Sequence, residues 1–176
     1  MVFEGNNKIR RKIYLAIDGL TDDEFNKIPS TGGWSPKQIL EHLTLMETYI
    51  ATNILREMKN PASRRVGKKL MLLPDSPMVK GGMPKETLPS DTFKTISELK
   101  VELHNSRIYL LDVYDSSCKD TLKQKSFEHP NLGSIPLYQW FPFVGQYERC
   151  HLKRLKKTIE ELLIKDGVPQ INTTNK

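Results

Sequence analysis

Apolar residues recur along this chain at intervals of three and four, the spacing that places them on one face of a helix. Ile9, Ile13, Ala16, Ile17 and Leu20 mark a first helix over residues 6–19, closed by Gly19 as a C-terminal cap. Thr21-Asp22-Asp23-Glu24 reads as a capping box opening a short helix, which Phe25 and Ile28 anchor before Pro29. The clearest start is Trp34-Ser35-Pro36-Lys37-Gln38, with a serine N-cap, a proline at the first helical position and a glutamine at the third. Ile39, Leu43, Met46, Ile50 and Ile54 then mark one face of a second long helix. It runs to Met58, a length of about 35 Å at the usual rise per residue.

Residues 59–90 break the pattern with Pro61, Pro74, Pro77, Gly81-Gly82, Pro84 and Pro89. They also carry a basic cluster, Arg64 to Lys69, followed by Leu70-Met71-Leu72-Leu73. A connection this long is expected as a surface excursion whose apolar segment packs on the helices, with a lid over a site as the alternative. A third long helix begins near Ser90 or Asp91 and ends around Asp115-Ser116-Ser117, its buried face being Ile96, Leu99, Leu103, Leu110 and Val113 or Tyr114. After a loop through Gly133, a fourth starts near Ser134–Pro136 and runs to Lys165 on the stripe Leu137, Trp140, Val144, Tyr147, His151, Leu155, Ile159 and Leu162. Asp166-Gly167 and Pro169 stop it.

Four long amphipathic helices without strand pattern or internal repeat predict an all-α four-helix bundle with a long crossover connection between helices 2 and 3. The chain of 176 residues fits one domain over residues 1–166 and a flexible tail over 167–176. Two cysteines, Cys118 and Cys150, form no disulfide framework. No apolar run reaches the roughly 18 residues of a membrane span. The N-terminus has no apolar signal core, so a cytoplasmic location is expected and no membrane partner. The net charge of +6 comes from cations interleaved with acids, as in Lys153-Arg154-Leu155-Lys156-Lys157 before Glu160-Glu161. That pattern reads as a solvated helix face and makes nucleic acid an unfavoured partner.

The candidate chemistry lies on two of the apolar faces. His42 sits between Ile39 and Met46 on the second helix, and His151 follows Tyr147 by one turn on the fourth. Inward polar side chains at i and i+4, with a histidine from a facing helix, are how bundle cores build metal sites. The plainer alternative is that both histidines are hydrogen-bonded core residues. His104 is expected at a boundary or on the surface, Cys150 as an inert buried thiol, and Glu41 facing solvent, with a role in orienting His42 as its alternative. Trp34, Trp140, Phe141 and Phe143 read as packing.

Three segments carry a resemblance. Gly32-Gly33-Trp34-Ser35-Pro36-Lys37-Gln38-Ile39-Leu40-Glu41-His42, then His129-Pro130 through Gly133 to Gln139-Trp140, then Tyr147 to His151 stand in the order and spacing of the DinB-like family. The similarity spans nearly the whole chain. It implies a four-helix bundle with a divalent transition metal (zinc, nickel or iron) on one histidine from helix two and two from the last helix. His42 and His151 match that trio, whereas Tyr147 stands at the remaining ligand position. Three arrangements are open: Tyr147 as third ligand, His129 swinging in from its loop, or a metal-free pocket with Tyr147 hydrogen-bonded to a histidine. By the resemblance the activity is that of a metal-dependent enzyme, with a low-molecular-weight thiol as a candidate cofactor in S-transfer. A non-enzymatic, stress-related protein binding a small molecule is the alternative. The resemblance also implies a homodimer.

Overall fold

Three of the helix starts are set by the same local device. In a computed structural model of the chain, which describes residues 3–70 and 84–165, Thr21, Ser35 and Thr95 each accept from the backbone amide three residues on. Glu24, Gln38 and Glu98 return a bond to each cap's own amide, so two free N–H groups are satisfied per start. The helices are α1 (Glu4–Ala16), α2 (Asp22–Asn26), α3 (Pro36–Lys59), α4 (Ile96–Ser116), α5 (Lys119–Gln124) and α6 (Leu137–Lys165). Thr95 is the actual start of α4, later than Ser90 or Asp91, because Ser90 and Asp91 are held by α3: Lys37 Nζ donates to the Ser90 carbonyl and Gln38 Nε2 to Asp91 Oδ1.

The long helices α1, α3, α4 and α6 form the expected bundle, with α1 packed on α6, and α3 on both α4 and α6. Thus α1 and α3, the first two long helices in sequence, pair mainly with other helices and not with each other. The core is continuous through Ile13, Ile39, Ile50, Leu99, Leu110, Phe141 and Leu155. At Gly145 the α1–α6 pair closes so tightly that a Cβ would lie 2.8 Å from Asn6 Cγ and 3.1 Å from its Cα. Asn6 Nδ2 uses that approach to donate to the Phe141 carbonyl at 2.8 Å. No helix among the described residues is long and apolar enough to cross a membrane.

One part departs from the all-helical expectation. Residues 118–136, expected as loop and helix start, form α5 and an antiparallel hairpin of β1 (Ser126–His129) and β2 (Gly133–Pro136), so α6 begins only at Leu137. Each strand has four residues, too few for a period-two pattern to show in the sequence. Gly133 closes the hairpin at φ +65°, a conformation that side chains disfavour. Phe127 stacks on Trp140 at 3.8 Å and ties the hairpin to α6. The basic segment is fastened beside it, since Ser126 Oγ donates to the Arg64 carbonyl and Gln139 makes paired bonds with the Lys69 backbone. Met71 to Leu73, the expected lid or packing segment, and the 167–176 tail lie outside the described residues.

Candidate metal centre

The site grows from two helix faces and one short turn. His42 on α3 and His151 on α6 are both buried, 0% and 1% exposed, and their ring centroids stand 5.1 Å apart. Tyr147 lies one turn before His151, with ring centroids 4.4 Å from His151 and 5.8 Å from His42. The structure therefore brings together His42, His151 and Tyr147.

The hydrogen bonds fix the tautomers. His42 Nδ1 is 2.6 Å from the Thr87 carbonyl oxygen. A carbonyl can only accept, so Nδ1 carries the proton and Nε2 the lone pair. The Tyr147 hydroxyl donates to that lone pair at 2.6 Å. His151 Nδ1 likewise donates to the Tyr147 carbonyl at 3.1 Å, which leaves Nε2 as its lone-pair nitrogen. Two imidazoles, each anchored through Nδ1–H to backbone with Nε2 as the lone-pair nitrogen, have the orientation that metal-binding histidines require, with the lone pair of His42 engaged by Tyr147.

The Thr87 carbonyl is itself built in. Thr87 is fully buried and ends a 3-10 turn over Lys85–Thr87, with its hydroxyl donating to the Pro84 carbonyl at 2.7 Å. Three residues on, Ser90 is clamped from α3. Glu41 accepts from its amide at 2.9 Å, and Lys37 Nζ donates to its carbonyl at 2.7 Å. Glu41 was expected in solvent; it is buried, paired with Lys37 at 2.8 Å and Lys94 at 3.1 Å. Those cations hold its carboxyl below the usual range against the opposing effect of burial. It reaches His42 only through the segment it anchors.

Burial dominates the site's electrostatics. It pushes His42 down to about 4 and His151 down to about 3, and raises the Tyr147 phenol above its ordinary value. At neutral pH all three groups are uncharged. The unfolded chain's histidines, with ordinary values near 6.5, take up protons first as the pH falls. Stability is therefore complete above about pH 6.5 and declines toward pH 4, by up to about 1.4 kcal/mol per pH unit for each ring. Urea unfolding of metal-free protein at pH 7.5 and pH 5 is expected to differ by about 4 kcal/mol. An unchanged unfolding free energy would mean that the rings are not held neutral.

The remaining candidates lie elsewhere. His129 caps the hairpin turn: its Nδ1 accepts from the amides of Asn131 and Leu132 at 3.1 and 3.3 Å, and its ring packs on Phe143 and Trp140. It thus holds the opposite tautomer to the other two, with its lone pair used by backbone. His104 is exposed and Cys150 half-buried. Among the described residues, no three of His, Cys, Asp and Glu are grouped to hold a metal. The donor set present is two imidazole nitrogens and one phenol oxygen. It suits a divalent transition metal once the phenol has lost its proton, since imidazole and phenolate both ligate such ions.

Two features escaped the sequence reading. Trp34, positioned by Gly32 and Gly33 at φ +82° and +97°, touches the His42 ring at 4.9 Å and carries the Arg154 guanidinium over its face at 4.8 Å. Arg154, in a basic run that read as a solvated face, is half-buried. The second feature is a buried quartet joining all four long helices. Glu47 accepts from Arg10 at 2.8 Å, Arg107 at 2.5 Å and Ser106 at 2.6 Å, while Glu148 Oε1 accepts from Arg10 at 2.7 Å and Arg107 at 3.0 Å. The charges on Arg10 and Arg107 hold Glu47 down, whereas burial pushes Glu148 up and its Oε2 has no hydrogen-bond partner among the described residues. Helical spacing of Arg10, Glu47, Arg107 and Glu148 with the core residues was the available signal.

Comparison with known proteins agrees with this frame. The chain is 26% identical over 160 residues to the uncharacterized protein YuaE of Bacillus subtilis (strain 168), covering 89% of this chain and 96% of that one. Its fold is similar to TT2238, described as a four-helix bundle protein, with TM-score 0.61 and 17% identity over 89% of this chain and 96% of the other. It is also similar to YfiT from Bacillus subtilis, described as a probable metal-dependent hydrolase with an unusual four-helix bundle topology, with TM-score 0.59 and 14% identity over 96% of this chain and 87% of the other. The DinB superfamily model matches residues 7–155, from α1 through His151 to Leu155, and the chain belongs to that superfamily.

Proposed function

We propose that this protein is a divalent-metal-dependent enzyme in which His42, His151 and Tyr147 hold the ion, and that it acts on a small molecule through an activated water or low-molecular-weight thiol. The observation that carries the reading is the matched pair of anchored Nδ1–H groups, which leaves two neutral Nε2 lone pairs beside one phenol oxygen. A bound divalent ion supplies Lewis-acid activation, bringing the pKa of a water or thiol toward neutrality. Zinc, nickel or iron suits two imidazoles and a phenolate.

The chain's own residues do the rest. The carbonyls of Thr87 and Tyr147 hold the two rings in one tautomer. Trp34 covers the His42 ring, limiting access of water on that side. Tyr147 donates its proton to His42 in a hydrogen bond, and would have to give it up for its oxygen to hold the ion beside the two imidazoles. The description of the YfiT fold relative as a probable metal-dependent hydrolase supports the class of reaction.

A second reading has its own support: the 2.6 Å bond from Tyr147 to His42 closes the lone pair, as a metal-free binding pocket requires. Metal analysis separates the two. Protein purified without added metal, then dialysed against zinc and buffer, is expected to retain close to one equivalent, with His42→Ala and His151→Ala each retaining little. Wild type retaining no more than His42→Ala would favour the metal-free pocket.

A further inference from the structure

Arg154 gives the site a charge that its other members lack. It follows His151 by one turn on α6, is half-buried, and lays its guanidinium over Trp34, whose ring also contacts His42. Its charge is felt by His42, Tyr147 and His151 alike. Those three groups are neutral at physiological pH, and among the described residues no carboxylate forms an ion pair with Arg154. Glu161, seven residues on along α6, is taken by Thr31 at 2.8 Å and approached by Lys157 at 3.8 Å. By contrast, the other two buried arginines, Arg10 and Arg107, are each matched to carboxylates at 3.0 Å or less. A half-desolvated guanidinium with no carboxylate partner among the described residues, held over an indole beside the candidate site, is a fork for an oxyanion.

We infer that Arg154 selects substrates bearing a carboxylate or similar oxyanion, with Trp34 and the Gly32-Gly33 turn fixing the guanidinium at the entrance to the His42–Tyr147–His151 site. The inference rests on the proposed reading of that site as the place where a small molecule binds. With Trp34 in contact with both Arg154 and the His42 ring, the anionic end of the ligand sits at Arg154 and its other end reaches the imidazoles. A cationic analogue of the same size meets the same charge and is rejected.

The test uses three thiols of matched size, 3-mercaptopropionate, 2-mercaptoethanol and cysteamine, which are anionic, neutral and cationic near neutral pH. Each is titrated into metal-free and cobalt-loaded protein, following the Trp34 indole N–H by NMR and, with cobalt, the thiolate absorption band. Wild type is expected to bind the anionic thiol at least about tenfold more tightly than the cationic one. Arg154→Gln is expected to bring that ratio near one while cobalt uptake persists, and Arg154→Lys to restore much of it. No charge preference in wild type, or a preference that survives in folded Arg154→Gln, overturns the inference. Protein that takes up no cobalt yet keeps the preference retires the metal reading alone. Protein that binds cobalt but treats the three thiols equally retires the anion selection alone.

Discussion

Glu47→Gln is expected to destabilise the fold by about 3–5 kcal/mol, the largest single-residue effect anticipated outside the hydrophobic core. Glu47 is 1% exposed and receives both Arg10 and Arg107. Removing its charge leaves two buried guanidinium ions sharing Glu148, whose Oε2 is already without a partner among the described residues. The cost is that of uncompensated charge in a medium unable to solvate it, far above the fraction of a kcal/mol that an exposed ion pair contributes. The same physics predicts that replacing the whole set, Arg10→Met with Glu47→Leu, Arg107→Met and Glu148→Leu, gives a chain close to wild type in stability, because apolar packing needs no compensation. Urea unfolding at neutral pH checks both. A loss under 1 kcal/mol in Glu47→Gln would show that the quartet does not hold the four helices together.

The second large effect concerns affinity. Tyr147→His replaces a phenol that must shed its proton with an imidazole that is already a lone-pair donor at neutral pH. Zinc affinity is expected to rise by roughly 100-fold or more, since a third nitrogen then completes the usual three-ligand set of an open site. Tyr147→Phe removes the oxygen, keeps both histidines, and is expected to weaken binding by a comparable factor. Competition titrations against a chromophoric chelator read both. Equal affinity in wild type and Tyr147→Phe would take Tyr147 out of the ligand set.

Much of the framework was legible because it follows from local rules. Ser35-Pro36 and the heptad-like faces of α3 and α6 announce helices whatever surrounds them, and those faces carry His42, Tyr147 and His151 inward. What stayed hidden depends on partners distant in sequence. Glu41 next to His42 looks like a solvent residue until Lys37, Ser90 and Lys94 converge on it. The carbonyl of Thr87 is a backbone group, and nothing in a side-chain pattern marks it as the anchor of His42. Arg10 and Arg107 interrupt their apolar faces without revealing that opposite charges wait across the bundle. His129 shows the reverse case: its place in a recognisable segment suggested a mobile third ligand, whereas the hairpin employs its lone pair to close a turn. Arg154 was masked by its neighbours, because Lys153, Lys156 and Lys157 make the run look uniformly exposed.

In the proposed reading Tyr147 decides the chemistry, and the pH dependence of zinc binding tests its role most directly. His42 and His151 are already neutral above about pH 6.5, so they contribute no proton release there. If the ion replaces the proton shared between Tyr147 and His42, one proton leaves for each ion bound. The logarithm of the zinc affinity, corrected for buffer and hydroxide, is then expected to rise by about one per pH unit between pH 6.5 and pH 8.5, with the slope falling toward zero in Tyr147→Phe. A wild-type slope near zero, with tight binding, would contradict the account.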